Sequence, residues 1–404
     1  MAVNLPPMGE LLPIEGIRLG AAEGGVKYSD RLDVAVVLLD PGSTVGGVFT
    51  VSAFQAAPVV VARERVGAAR ALVVNSGNAN AATGKRGLAD ARSTCEHLAS
   101  RIGVADAEVL PFSTGVIGEF LDMDAMRRGI DAAVGVARPD GWADAARAIM
   151  TTDTAPKAVS ATGMVGGHPI RATGMVKGSG MIRPDMATML AFLGTDAAVS
   201  ADAIQALARD LAEGSLNRVT VDGDTSTNDA FVVMATGHAG GTPVTDRDDL
   251  RYGELLDALT PLAVDLAQRT ARDGEGATKF VTVRVEEGQS SADCLAIAYA
   301  IAHSPLVKTA IFAGDPNWGR FCMAIGRAGL TGLDPDAVGL YLDDVCVARG
   351  GLVAEEYTEE AGAAVMAKDE FTVRVTLGQG RASETVWTTD LSYEYIRINA
   401  EYRT

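Results

Sequence analysis

Short runs of β-branched and apolar residues, each closed by glycine, proline or asparagine, recur along this chain and limit the folds open to it. Near the N-terminus they read LDVAVVLLD, VGGVFTV, APVVVA and ALVVN. Further on, FVTVRVEEG from Phe280 and EFTVRVTLGQG from Glu370 alternate apolar and polar residues. Both patterns are typical of strands, and the alternating one is typical of strands with one buried face. The sequence therefore predicts strands in both halves of the chain.

Helices are predicted between these strands. Apolar residues recur at helical spacing in two segments, at Ala91, Cys95, Leu98 and Ile102, and at Ile204, Leu207 and Leu211. Ser200 is a good N-cap for the second of these helices, and another helix is predicted over residues 124–137. Leucines keep helical spacing over residues 254–271, but Pro261 interrupts them. We expect Thr260 to cap a new helix that begins at Pro261.

The order of these elements indicates the fold class. Strands and helices alternate without a regular βαβ repeat, which favours an α+β fold with sheets covered by helices. A chain of 404 residues is too long for one simple core, so two or more lobes are expected. The best candidate for a boundary is the glycine-rich stretch over residues 174–185.

Charge and hydropathy exclude several classes of partner. The formal net charge of −17 and the lack of clustered Lys and Arg argue against nucleic acid and anionic membranes as ligands. The longest apolar runs, such as CLAIAYAIA, are far shorter than the roughly 20 residues that span a bilayer. The N-terminal segment has no signal-peptide pattern. We therefore expect a soluble, cytoplasmic protein.

Cysteine and histidine are scattered. None of the four cysteines forms a CxxC pair, and none of the four histidines belongs to an HExxH motif. Structural roles are the better interpretation for all eight residues, which are Cys95, Cys294, Cys322, Cys346, His97, His168, His238 and His303. Neither a metal site nor a Cys–His hydrolase is predicted.

Several polar loops have a plain structural interpretation. DGDTSTND, residues 222–229, departs from the calcium-loop template and is expected to be a tight loop. NSGNAN, residues 75–80, lacks phosphate-loop spacing and predicts a sharp bend after a strand. Thr114 and Gly115, in PFSTGVIG, could supply two oxyanion donors, although an ordinary turn is favoured on local grounds. Glu275, in GEGATKF, is expected to be a solvated loop residue.

One hydroxyl stands out in KGSGMIRPDMATMLAF. Thr188 lies between Ala187 and Met189, at the seam between a glycine-rich loop and an apolar segment that resembles a buried strand. One interpretation is a turn or a cap. The other is that the chain is cut there, which makes Thr188 a catalytic N-terminus.

Motifs spread over the chain favour the second interpretation. NSGNANAATG, STGVIG, KGSGMI, MATMLAF, VDGDTSTND, GEGATKF, AGDPNWGR and INAEYRT all occur in it. Together they resemble the ornithine acetyltransferases, bifunctional glutamate N-acetyltransferases of the cyclic arginine pathway. The resemblance covers essentially the whole chain, and the joint pattern is specific although no single motif is decisive.

This resemblance implies a mechanism. The precursor cleaves itself between Ala187 and Thr188, giving fragments 1–187 and 188–404. Thr188 then accepts an acetyl group from N2-acetylornithine and passes it to glutamate in a ping-pong reaction. Its own α-amine serves as the base, while the Thr114 hydroxyl and the Gly115 N–H stabilise the oxyanion.

The resemblance also implies the substrate contacts and the assembly. The substrate-binding residues are Thr151, with Thr152 beside it as an alternative, and Lys177, Thr188, Glu275, Asn399 and Thr404. From charge, Lys177 suits a substrate carboxylate and Glu275 an ammonium. The implied fold is α+β, with layered sheets between helices and a self-cleaving N-terminal threonine nucleophile, related to DmpA-type aminopeptidases. The fragments are expected to form an α2β2 heterotetramer.

Cofactor use and two other functions stay open. No metal or required cofactor is implied, and acetyl-CoA remains open as a second acetyl donor. A self-processing hydrolase shares the Thr188 chemistry but releases acetate to water. A non-enzymatic amino-acid-binding protein predicts an uncut chain that binds its ligand whether or not Thr188 is present.

Overall fold

The structure is a computed structural model that describes residues 2–27, 29–183 and 189–401. The chain divides into two compact units. The larger unit comprises Pro7–Asn217 and Asp224–Thr270, and the smaller unit comprises Met1–Pro6, Arg218–Gly223 and Ala271–Thr404. Both units contain sheets and helices, so the predicted α+β class is confirmed.

The described strands of the larger unit form two sheets. In chain order these strands are β1 (Ile17–Ala22), β2 (Val34–Leu39), β3 (Thr44–Phe49), β4 (Ala71–Asn78), β5 (Val109–Val116), β6 (Lys157–Val165), β7 (His168–Lys177), β8 (Leu190–Thr195) and β9 (Ala230–Ala235). The first sheet has the order β1-β2-β4-β5, and the second has the order β3-β9-β8-β7-β6. The pairs β4–β5 and β8–β9 are parallel, and the other pairs are antiparallel.

Helices cover both sheets of the larger unit. They are α1 (Ala57–Arg65), α2 (Gly84–Ile102), α3 (Met123–Gly135), α4 (Trp142–Ala148), α5 (Ala201–Gly214) and α6 (Leu250–Arg272), whose last residues belong to the smaller unit. One apolar cluster lies between the two sheets and includes Phe112 of β5 and Phe192 of β8, whose ring centroids are 5.2 Å apart. A second cluster packs α2 and α3 on the outer face of the first sheet. The larger unit therefore has sheets layered between helices, as predicted.

The smaller unit contains one sheet with the order β13-β12-β11-β14-β10-β15. Its strands are β10 (Phe280–Gly288), β11 (Gly339–Leu342), β12 (Val345–Arg349), β13 (Leu352–Val353), β14 (Glu370–Thr376) and β15 (Ala382–Thr389). Its helices are α7 (Ser291–Ala302), α8 (Pro305–Ala313), α9 (Trp318–Gly326), α10 (Glu359–Met366) and α11 (Tyr393–Ala400). An apolar cluster joins one face of the sheet to α7, α8 and α9. The alternating segments from Phe280 and Glu370 form β10 and β14, as predicted.

Two predicted helices have the expected caps and faces. The Ser200 hydroxyl accepts a hydrogen bond from the Ala203 N–H, 3.1 Å away, and α5 begins at the next residue. Ala91, Cys95 and Leu98 are buried on one side of α2. Periodic burial and a capping hydroxyl are thus sufficient to predict both helices.

The APVVVA segment does not form the predicted strand. It forms α1, because Pro58 lies in the first turn, where a missing N–H breaks no helical hydrogen bond. The helix also buries Val59 and Val61, on the two faces that meet neighbouring apolar clusters. Packing therefore outweighs the strand preference of three successive valines.

The predicted helix start at Thr260 is also wrong. α6 continues through Pro261 without ending. The Thr260 hydroxyl donates to the Leu256 carbonyl oxygen, 2.7 Å away, instead of capping a new helix. Buried leucines before and after the proline, including Leu259 and Leu262, hold one continuous face against the core. That packing compensates for the helical hydrogen bond that proline cannot make.

Two further expectations concern the whole chain. The larger unit continues through residues 174–185, so this predicted boundary is wrong for the compact units, because β7 and β8 on either side pair with each other. The fragments 1–187 and 188–404 concern peptide cleavage and stay predictions.

Within the described residues, no single helix is long and apolar enough to cross a membrane. Only the bent pair α7 and α8, taken together, has the length and composition of a membrane span.

Candidate active site

Strand alternation brings a hydroxyl and an ammonium group together at one end of the two-sheet sandwich. On β5, Phe112 is buried between the sheets, so Thr114 faces the same gap two residues later. On β7, Met175 is buried between the sheets, and Lys177 follows with the same orientation. Two strands from different sheets thus end with polar side chains directed at each other.

The two side chains are hydrogen-bonded. The Lys177 ammonium donates to the Thr114 hydroxyl oxygen at 2.9 Å, and Thr114 is only 7% exposed. An ammonium group has donors only, so the Thr114 oxygen must accept this bond. The hydroxyl proton of Thr114 then remains free to be donated to another acceptor. This is the arrangement that an oxyanion donor requires.

Thr114 and Gly115 lie at the end of a strand rather than in the turn that local sequence favoured. Gly115 has a φ of +132°, and a Cβ there would lie 2.3 Å from the carbonyl carbon of Gly77 on β4. The register between β4 and β5 shifts at Asn78, beside this contact. The close approach of two backbones explains why a glycine follows Thr114.

Asparagine side chains hold the end of β4 in place. Asn75 accepts a hydrogen bond from the Ser113 hydroxyl at 2.6 Å and donates to the Asn78 carbonyl oxygen at 2.8 Å. Asn228 donates to the Ala79 carbonyl oxygen at 2.6 Å and to that of Ser113 at 2.8 Å. These bonds tie the ends of β4 and β5 together. The predicted bend after a strand is wrong for most of NSGNAN, because its residues 75–78 form the end of β4 and only Ala79 and Asn80 follow the strand.

A buried carboxylate that no motif indicated lies near Lys177. Asp153 accepts from the Lys157 ammonium at 2.6 Å, from the Gly178 N–H at 2.7 Å and from the Thr151 N–H at 2.9 Å. Burial alone would raise the pKa of Asp153, but the ammonium groups of Lys157 and Lys177 and these hydrogen bonds hold it well below its usual range. Asp153 therefore carries a negative charge that balances the lysines of the site.

The two threonines before Asp153 have different surroundings. The Thr152 hydroxyl shares a hydrogen bond of 2.7 Å with the Ser179 hydroxyl. Thr151 is half-buried, and its N–H binds Asp153. Asp153 thus links the predicted substrate residue Thr151 to the backbone that directly follows Lys177. Thr151 was predicted to bind substrate, with Thr152 as the alternative, and this role stays a prediction.

The predicted nucleophile lies outside the described residues, together with Ala187. The description resumes at Met189, which is buried, and Leu190 pairs with Lys177 in the β7–β8 register. Along the chain, Thr188 comes two residues before Leu190. Leu190 is the register partner of Lys177, which binds Thr114. Thr404 also lies outside the described residues.

Two predicted substrate residues meet in the smaller unit. The Asn399 side-chain amide donates to the Glu275 carboxylate at 2.8 Å. Glu275 is only 8% exposed, so its interpretation as a solvated loop residue is wrong. The following Gly276 approaches the start of α11, where a Cβ would lie 2.3 Å from the Tyr395 backbone nitrogen. This close packing positions the Glu275 loop against the helix that carries Asn399.

A buried lysine is hydrogen-bonded to the segment next to the Glu275 loop. Lys308 donates to the Thr388 hydroxyl at 3.1 Å and to the carbonyl oxygen of Thr389. The next residue, Asp390, accepts from the N–H of Thr278 at 2.8 Å and from its hydroxyl at 2.5 Å. Burial lowers the pKa of Lys308 to about 8, although Asp390 and Asp222 act in the opposite direction.

Metal ligands were not predicted, and the described residues offer no group of three or more His, Cys, Asp or Glu that could hold a metal ion. All four cysteines are free. Burial raises the pKa of the Cys95 thiol to about 12, so this thiol stays protonated at neutral pH.

Two sheets layered between helices, with a hydrogen-bonded threonine and lysine at one end, are the α+β arrangement that the resemblance implied. The sequence model of the ArgJ family matches residues 18–404. The chain belongs to this family, as the motifs predicted.

Relatives match along the full length. The arginine biosynthesis bifunctional protein ArgJ of Pseudomonas syringae pv. tomato is 52% identical over 405 residues, covering 100% of both chains. That of Pseudomonas fluorescens is 50% identical with the same coverage. Among solved structures, ArgJ from Bacillus halodurans is 35% identical, covers 51% of this chain and 95% of its own, and has a TM-score of 0.48. Ornithine acetyltransferase from Mycobacterium tuberculosis, complexed with ornithine, is 34% identical, covers 44% and 96%, and has a TM-score of 0.39.

We predict that Gly115→Ala destabilises the protein more than Gly118→Ala. Both glycines have positive φ, but a Cβ at Gly118 meets nothing within 4 Å. Gly118→Ala should therefore lower the free energy of unfolding by about 1–2 kcal/mol, from backbone strain alone. Gly115→Ala should lower it by about 3 kcal/mol or more, because β4 must also move. Urea denaturation measures both values, and equal losses would contradict the close approach.

We also predict a pH-dependent contribution from Lys308. Its pKa of about 8 in the folded protein lies below the unfolded value of 10.5. Between these values the unfolded chain binds more protons, so stability rises with pH, whereas below pH 8 the cost of burying the charge is fully present. Relative to Lys308→Met, the wild type should gain up to about 3 kcal/mol between pH 8 and 10.5.

Urea denaturation at several pH values measures this difference. Lys85→Met, which changes an exposed lysine, serves as the control and should run parallel to the wild type. A constant difference between the wild type and Lys308→Met across this pH range would contradict the lowered pKa.

Proposed function

We propose that this protein transfers the acetyl group of N2-acetylornithine to glutamate, giving ornithine and N-acetylglutamate. Membership of the ArgJ family over nearly the whole chain supports this class of enzyme, an acyltransferase of arginine biosynthesis. The structural observation that supports it most directly is the hydrogen bond from Lys177 to Thr114. Because the Thr114 oxygen accepts this bond, the Thr114 proton can be donated to an oxyanion at the end of the sandwich.

Thr188 is the proposed nucleophile, after self-cleavage. Its hydroxyl oxygen attacks the Ala187 carbonyl carbon, and the acyl group moves from nitrogen to oxygen. Water then hydrolyses the ester, which leaves a carboxylate on Ala187 and a free α-amine on Thr188. Such an amine has a reference pKa of about 7.7–8.0, so it can accept the hydroxyl proton near neutral pH.

Turnover follows the same chemistry. The Thr188 hydroxyl oxygen forms a bond to the acetyl carbon of N2-acetylornithine, and negative charge develops on the acetyl oxygen. Thr114 and the Gly115 N–H donate to this oxygen. The C–N bond breaks, ornithine leaves with the proton held by the α-amine, and acetyl-Thr188 remains. The glutamate amine then forms a bond to the acetyl carbon, and the C–O bond to Thr188 breaks. The amine loses a proton, which the Thr188 α-amine passes to the Thr188 oxygen, so that N-acetylglutamate leaves and the free hydroxyl is restored.

Side chains of both charge signs suit amino-acid substrates. Lys177 has three donors, so one can bind Thr114 while another binds a substrate carboxylate. Glu275 is an acceptor for a substrate ammonium, beside Asn399. Thr151 and Thr404 complete the proposed contacts.

Assembly, location and donor range belong to the same proposal. Fragments 1–187 and 188–404 stay associated and form an α2β2 heterotetramer in the cytoplasm. Acetyl-CoA as a second donor to glutamate is the alternative that gives the enzyme two activities. It is supported by the word bifunctional in the names of the relatives.

We predict that Thr188→Ala abolishes both cleavage and transfer. Intact mass spectrometry of the wild type should show two fragments, the second beginning at Thr188, and the variant should remain whole at 41.8 kDa. Thr162→Ala, which alters an exposed threonine of β6, is the control and should be cleaved normally. A wild type that stays whole after long incubation would count against the nucleophile and revive the binding-protein interpretation.

We predict that Thr114→Val slows acetyl transfer by about 10²–10³-fold, the usual effect of removing one oxyanion donor. Thr114→Ser keeps the hydroxyl and should lose much less. The assay follows N-acetylglutamate and free acetate separately. Acetate without N-acetylglutamate from the wild type would identify a hydrolase, and an unchanged rate in Thr114→Val would remove Thr114 from the mechanism.

A further inference from the structure

Ser76 lies on β4 directly beside Thr114. The parallel register of β4 and β5 pairs these two residues. Paired residues of neighbouring strands direct their side chains to the same face of a sheet. Val74, two positions before Ser76, is buried between the sheets, so Ser76 also faces the gap into which Thr114 and Lys177 project.

The Ser76 hydroxyl is buried, and within the described residues it is unpaired. Ser76 is 1% exposed, and its oxygen has no hydrogen-bond partner among the described parts of the chain. Its neighbours differ in this respect, because Asn75 and Asn78 both use their side-chain amides. A buried hydroxyl without a partner destabilises a fold, so its retention in a polar segment calls for an explanation.

We propose that Ser76 donates a hydrogen bond to the acetyl oxygen as that oxygen becomes negative, as a third donor beside Thr114 and Gly115. This inference rests on the proposed function. The Thr188 oxygen still forms the new bond to the acetyl carbon, and the electron pair of the C=O bond moves to oxygen. The Ser76 proton stays on Ser76 and is only shared with the oxyanion. Ser76 gains its full hydrogen bond only as the acetyl oxygen becomes negative.

The test is Ser76→Ala, assayed as cleaved enzyme with N2-acetylornithine and glutamate. Because the donated bond strengthens only in the transition state, we expect kcat to fall roughly 10- to 100-fold while KM stays within about twofold. The urea midpoint should stay equal to that of the wild type or rise, since the variant removes an unpaired buried hydroxyl. Cleaved protein is quantified by intact mass, so that slow processing is not mistaken for slow transfer.

Ser215→Ala is the matched control. Ser215 is fully buried in the same unit, but its hydroxyl donates to the Leu211 carbonyl oxygen at 2.5 Å. This variant should lower the urea midpoint and leave kcat unchanged. The midpoint and kcat are thus expected to change in opposite ways in the two serine variants.

Three results would overturn the role of Ser76. An unchanged kcat removes it from the reaction, a raised KM alone makes it a ground-state contact, and a lowered midpoint makes it a structural hydroxyl. A failure of the proposed function is distinguishable, because the wild type itself would then form no N-acetylglutamate.

Discussion

The hydrogen bond between Lys177 and Thr114 connects the two sheets of the larger unit at the end where their polar residues lie. It exists because both strands alternate in phase, so that residues two positions after buried core side chains face each other. Asp153 supplies the opposite charge, and Gly115 allows β4 to approach. A one-residue shift of either strand would turn its polar group to the other face of its sheet.

Much of this arrangement was predictable from sequence, and the exceptions have physical causes. Ser200 and the periodic residues of α2 predicted their helices, because capping and amphipathic spacing are local signals. The predictions for APVVVA and Pro261 were wrong, because the structure of both segments depends on distant neighbours. α1 is buried on both faces, and α6 packs one continuous face against the core. Local propensity cannot report such packing.

The site shows the same division. Thr114, Lys177, Glu275 and Asn399 were predicted through their motifs, and the structure shows two hydrogen-bonded pairs among them. Asp153 was not predicted, since its contact with the Gly178 N–H joins residues 25 positions apart, although Lys157 and Thr151 are local partners. Glu275 was misjudged for the same reason, because the helix that buries it lies over a hundred residues further on. Residues whose role depends on distant backbone are invisible to a local pattern.

The five-stranded sheet gives the proposed cut an unusual consequence. In its order, β3-β9-β8-β7-β6, the two strands that follow residue 187, β9 and β8, lie between strands that precede it. After a cut, β8 and β9 would lie between β3 on one side and β7 on the other, so the two polypeptides would share one hydrogen-bonded ladder. Separating the two polypeptides would break the hydrogen bonds of the β3–β9 pair and of the β8–β7 pair. The sheet would therefore have to form before the cut, since a chain cut earlier would have to assemble this sheet from two molecules.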